Sequence, residues 1–126
     1  MYDNDTDDRP LIVREANDVY ESVRAINHAT IDAHSIPAPV VYDALGNLKL
    51  ALGYSTHQAL TQVADGLLRS LDTHDVYDDI GDPTDNAAAA AALLHEAASL
   101  ATQIGTLLEE AQSRISGQGY NEPDAL

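Results

Sequence analysis

The sequence predicts an all-α chain, a four-helix bundle-like architecture with one long C-terminal amphipathic helix, and three observations lead there. From Asp82 to Ile115 the apolar residues Leu94, Ala97, Ala101, Ile104, Leu108, Ala111 and Ile115 recur in alternating steps of three and four, and Leu93, Leu100 and Leu107 widen the stripe. That spacing lines one edge of a helix, as a coiled coil or helical bundle requires. Leu and Ala, both good helix formers, dominate the composition, and with no Phe, no Trp and one Met the core must be aliphatic. No alternating apolar and polar run is long enough to suggest a strand.

Each element follows in order. Residues 1–9, with Asp3, Asp5, Asp7 and Asp8, read as a disordered acidic tail. The first helix is expected from about Pro10, a residue suited to the first helical position, to His34, with Ile12, Ala16, Val19, Val23 and Ile26 as its inner edge. Ser35-Ile36-Pro37-Ala38-Pro39 breaks it, because residues before proline avoid the α region. A second helix starts near Pro39 with Val41, Ala44, Leu45, Leu48 and Leu52 inward, and Gly53 sits where a C-cap is expected. Ser55 and Gln58 then have capping-box spacing for a third helix carrying Leu60, Val63, Ala64, Leu67 and Leu71 inward as far as Asp72. The Gly-Tyr-Ser corner between these two helices is compatible with a tight hairpin or with one broken rod. Asp82, Pro83 and Asp85 start the long helix as N-cap, first-turn proline and dipole-paired acid. Residues 10–116 are expected to form a single helical bundle domain, and 117–126, with Gly117, Gly119 and Pro123, a flexible C-terminal tail.

Charge narrows the function classes. There are 21 acidic residues against six basic ones, a net charge of −15, and the only lysine is Lys49. Such a surface repels phosphate backbones and anionic membranes, so neither direct nucleic-acid binding nor membrane binding is expected. It keeps an Ala-rich bundle soluble, and it can also complement a basic protein partner or imitate the charge of DNA. With no Cys there is no thiol nucleophile and no disulfide framework. The acidic N-terminus lacks the basic start and apolar run of a signal peptide, and no apolar stretch would span a bilayer, so a cytoplasmic location is expected.

Candidate sites are few. The acidic loop of Asp72, Asp75, Asp78, Asp79, Asp82 and Asp85 has oxygen ligands but fails the EF-hand pattern, since a loop glycine at Gly81 would put Val76 where the first Asp is needed. His28, Asp32 and His34 form an H-x3-D-x-H cluster off the apolar edge of the first helix. Neither a nucleophile elbow nor a phosphate-binding glycine loop is present. No cofactor, metal ligand or catalytic residue is therefore assigned, and the chain is not expected to be an enzyme. Tyr is favoured at interface anchors, so Tyr42 and Tyr54, with the loop residues Asp75, Asp78 and Asp79, are the candidate partner-binding residues.

The stretch IPAPVVYDALGNLKLALGYSTHQALTQVADGL, residues 36–67, resembles small helical proteins encoded by high-GC actinobacteria, often beside mobile elements. That resemblance carries no functional residue. Tyr120-Asn121-Glu122-Pro123-Asp124 is similar to the Y-x-x-x-[DE] signal of type VII secretion substrates of the WXG100 kind, which are small helical hairpins, although the W-x-G turn is absent here. The function expected from these observations is a non-enzymatic acidic helical protein that binds another protein, a homodimer or an accessory subunit of a mobile-element system. The alternatives are an acidic inhibitor or DNA mimic filling a basic groove, and a type VII substrate-like protein.

Overall fold

The computed structural model describes residues 7–123, and every regular element among them is helical: α1 (Leu11–Thr30), α2 (Ala38–Leu48), a π-helical turn (Lys49–Ser55), α3 (Thr56–Thr73) and α4 (Pro83–Arg114). Residues 1–36 and 37–126 form two compact units. Asp3 and Asp5 of the expected acidic tail and Asp124 of the C-terminal motif lie outside the described residues.

In the first unit, Asp7 and Arg9 are joined by a 2.7 Å ion pair. The Arg9 guanidinium, with its backbone N–H, holds the Asp7 carboxyl down at about 2. α1 opens on Pro10, whose carbonyl accepts from the Val13 and Arg14 amides. It ends at Thr30, earlier than the expected His34, where the Thr30 hydroxyl turns back to the Ile26 carbonyl at 2.8 Å. That bond lets the side chain compete with continued helix. None of its residues is buried, and its apolar edge of Ile12, Val19, Val23 and Ile26 is exposed.

The second unit is an antiparallel helical hairpin. α2, the π turn and α3 run on without a break from Ala38 to Thr73, so the expected second and third helices are one rod, about 54 Å long. Among the described residues there are therefore three helical rods where four helices are expected. Two local expectations fail with that. Gly53 is not a C-cap, since no glycine takes a positive φ, and Ser55 has helical backbone angles and makes no side-chain cap. Both residues are inside the rod because Gly53 is a contact point against α4. At the other end the expected start of α4 holds: Asp82 accepts from the Thr84 and Asp85 amides, with Pro83 in the first turn.

Five pairings fix the register. Asp65 meets His95, His57 meets Ala98 and Thr102, Gly53 meets Gly105, Lys49 meets Glu109, and the Tyr42 carbonyl meets Gln112. On α4 the facing edge is Ala87, Ala91, Leu94, Ala98, Ala101, Gly105, Leu108 and Gln112, unbroken steps of four and three, all buried or half-buried. This edge is offset by one residue from the stripe expected at Ala97, Ile104 and Ala111.

The π turn explains how the rod follows it. Gly46, Lys49 and Gly53 face α4, and a strict seven-residue repeat would continue at 56, 60 and 63. The contacts come one residue late: His57 reaches α4, and Ala64 is fully buried while Val63 is 37% exposed. One extra residue must be absorbed between 49 and 56, and a π turn, whose bonds run from i to i+5, absorbs it. The Thr56 hydroxyl donates to the Ala51 carbonyl five residues back at 2.6 Å, filling the widened turn.

Candidate interaction surface

The hairpin has two unlike sides. Successive residues step about 100° round a helix. With Ala98 facing the rod, Ser99 and Thr102 fall to one side and Ala97 and Ile104 to the other. With Ala64 facing α4, Asp65 falls on the side of His95, and Val63 falls opposite.

The first side is polar and self-satisfied. The His57 Nδ1 lies 2.9 Å from the Ala98 carbonyl, so that nitrogen carries the proton and donates, and 3.0 Å from the Thr102 hydroxyl. Asp65 and His95 lie 3.8 Å apart. Nearer the open end, the buried Gln112 acts as a peg: its amide donates to the Tyr42 carbonyl at 3.0 Å and its oxygen accepts from the Lys49 ammonium at 2.8 Å. Lys49 also stands 3.5 Å from Glu109. Burying a polar amide beside Gly46 is tolerable because both its ends are bonded.

The second side is apolar and uncovered. Leu93, Leu100 and Leu107, seven residues apart, are 66%, 52% and 63% exposed. Ile104 is exposed beside them, and Ala97 and Leu108 are half-buried. On the rod the same side carries Leu60, Val63 and Leu67, and beyond the π turn Leu45, Leu48 and Leu52. On the rod no acid or base falls in this band, and on α4 Glu96, one turn from both Leu93 and Leu100, marks its outer margin. Meanwhile the buried apolar side chains of the seam are all alanines, from Ala64 to Ala101. The two stripes legible in α4 are thus both real, but the small one packs within the hairpin and the large one faces outward.

The connecting loop is the third surface. The Asp78 carboxylate accepts from the Ile80 and Gly81 amides at 2.8 and 3.0 Å and from the Asn86 side chain at 2.7 Å. The Asn86 bond, with the two amides, lowers its proton affinity. Ile80, 95% exposed, and Tyr77 stand out on the braced loop. Because the folded pKa is depressed, the bracing is in place above the ordinary value of 3.8 and is lost as pH falls through the lower, folded value. In an NMR titration the Ile80 and Gly81 amide shifts should move together with a midpoint below 3.8, and Asp78→Asn should abolish that step. A midpoint at or above 3.8 would show that Asp78 does not brace the loop.

The expected partner-binding residues are not gathered in one place. Asp75 and Asp79 are exposed on the loop, and Asp78 is engaged within it. Tyr42 lies near the opposite end of the rod, and Tyr54 at its middle. Both are partly exposed, and the Tyr54 ring also lies against Gly105 at the helix crossing. Asp72, His28, Asp32 and His34 are exposed, and among the described residues no three His, Asp or Glu side chains converge as a metal ion would need. Tyr120 is exposed beyond α4. Among the described residues no helix is long and apolar enough to cross a membrane. Comparison of the chain with protein-family models, curated proteins and solved structures finds no match.

Proposed function

We propose that this protein is a non-enzymatic helical interaction protein, and that the apolar side of its hairpin is the working surface, packed in use against helices of another polypeptide. The observation that carries this is the inverted use of its side chains. The buried apolar positions of the seam are alanine and glycine, Leu94 and Leu108 are only half-buried there, and Leu93, Leu100 and Leu107 stay outside. A buried methylene is worth about 0.8 kcal/mol, so an Ala-Gly seam supplies far less than a Leu-Ile core. Ordering one residue costs about 1–2 kcal/mol in backbone entropy alone. Two long helices joined by such a seam gain most of their remaining stabilisation from whatever covers the large residues. A continuous apolar band on an otherwise acidic hairpin is the form a helix-packing surface takes. The acidic loop and outer edges remain in water in such a complex, and they favour a partner that is neutral or basic there.

Photocrosslinking in living cells tests this. A photoreactive phenylalanine analogue at position 100 should give discrete protein adducts, and the same analogue at the neighbouring position 99, on the polar side, should give few. Equal yields from both positions, or none from position 100, would remove the apolar side as the working surface.

A further inference from the structure

We infer that the polypeptide covering the apolar side is a second copy of this chain, packed antiparallel about Leu100 so that two hairpins close a four-helix bundle. This rests on the proposed use of that side and adds the identity of its occupant. Three observations favour self-pairing. The first is the low charge of the band. The net charge of −15 would oppose association, but the rod side of the band carries no acid or base, and on α4 only Glu96 borders it, at its outer margin one turn from Leu93 and Leu100, with Glu109 on the polar side. Carboxylates held a helix diameter apart across water, about 10 Å, are largely screened at physiological salt.

The second is area. Two helices side by side are about 20 Å wide, and the band from Ala87 to Ile115 runs for about 40 Å, giving roughly 800 Å² per copy. That matches what a specific dimer buries on each partner. The third is symmetry. A two-fold interface must be self-complementary, residue i meeting j and j meeting i. Leu93, Leu100 and Leu107 are spaced evenly about Leu100, with Ala97 and Ile104 between them. An antiparallel pair of α4 helices places Leu93 against the Leu107 of the other copy and Leu100 against itself. Ala97 of one copy then lies beside Ile104 of the other, small against large, as interdigitation needs. The two acidic loops emerge at opposite ends of a bundle about 50 Å long.

The test uses the full chain. In sedimentation equilibrium from about 1 to 200 µM, the parent should be dimeric at the upper end. Leu100→Glu with Leu107→Glu should raise the dissociation constant at least about thirtyfold. Ser99→Glu with Thr106→Glu adds the same charge on the polar side of the same helix and should change it less than about threefold. Because the chain has no cysteine, Leu100→Cys serves as a second probe that keeps the parent charge. Mild oxidation should join two copies at position 100, and Ser99→Cys should stay unlinked. A folded parent that remains monomeric throughout overturns the self-pairing. In that case the position-100 adducts seen in cells would carry a different protein, and the apolar side would stand as the working surface. A dimer that survives the Glu pair, or that links at 99 as readily as at 100, overturns it too.

Discussion

Gly53→Ala is expected to destabilise the hairpin by about 3 kcal/mol, although alanine inside a helix normally exceeds glycine by about 1 kcal/mol. The reason is what a Cβ at position 53 would meet. It would lie 2.4 Å from the Gly105 Cα, 2.9 Å from the Gly105 nitrogen and 3.4 Å from the Ala101 carbonyl oxygen. All three are backbone atoms, so no rotamer change makes room, and the helices must part at the π turn. Parting them loosens Ala98 and Ala101 at once, because a close-packed seam transmits the displacement. Gly105→Ala should cost less, since its nearest neighbour is the edge of the Tyr54 ring at 3.0 Å, which can swing aside, with the Gly53 Cα at 3.2 Å. Gly66→Ala meets only the tip of Arg69 at 4.0 Å and should stabilise by about 0.4–1 kcal/mol. Thermal unfolding reads all three, at about 4–8 °C per kcal/mol for a unit of this size. A Gly53→Ala protein as stable as the parent would show that the helices do not approach so closely.

This crossing is also where the sequence is least legible. Gly53-Tyr54-Ser55 has the composition of a corner, and a C-cap glycine followed by a capping box is the ordinary local meaning of those residues. What overrides it is tertiary: Gly105 on α4 is Gly53's partner, and two glycines opposite each other let backbones touch. Nothing within ten residues of Gly53 announces Gly105. The extra residue between Gly53 and Ala64 is a fainter signal, visible only once Ala64, and not Val63, is known to face α4.

Other features were legible because their causes are local. The limits of α4 follow from the Asp82 side chain and Pro83 at one end and the glycines after Ile115 at the other. The helical character of every element follows from three-four spacing. The choice between the two stripes of α4 was not local. Ranking residues by size assigns the leucines to the core, and the row Ala91, Ala98, Gly105, one small residue every seven, reads as filler. The close crossing reverses the assignment, since only small side chains fit between backbones that touch. The contact of the Tyr54 ring with Gly105 has no local sign either, and the residue is 38% exposed. Gln112 and Lys49, which bind the open end of the hairpin together, carry no spacing signal at all.

That reversal yields the second large effect, in a pair of substitutions two residues apart. Ala98 is 1% exposed, and its carbonyl is bonded to His57. Ala98→Leu adds three carbons where the helices meet, and the overpacking should cost about 3 kcal/mol. Leu100→Ala removes the same three carbons from a side chain that is 52% exposed in the hairpin. A fully buried leucine would lose about 2–5 kcal/mol, and in dilute solution position 100 should lose about 1 kcal/mol or less. The two costs must also differ in kind. Seam packing is unimolecular, so the Ala98→Leu penalty should be the same at every protein concentration. Leu100 is covered only when a second copy arrives, so its penalty should grow as the parent becomes dimeric. Denaturant unfolding of both variants and the parent, across the concentrations at which the parent pairs, separates the two. A large, concentration-independent loss for Leu100→Ala, with Ala98→Leu tolerated, would restore the leucine stripe to the interior of the hairpin and move the seam one residue round the helix.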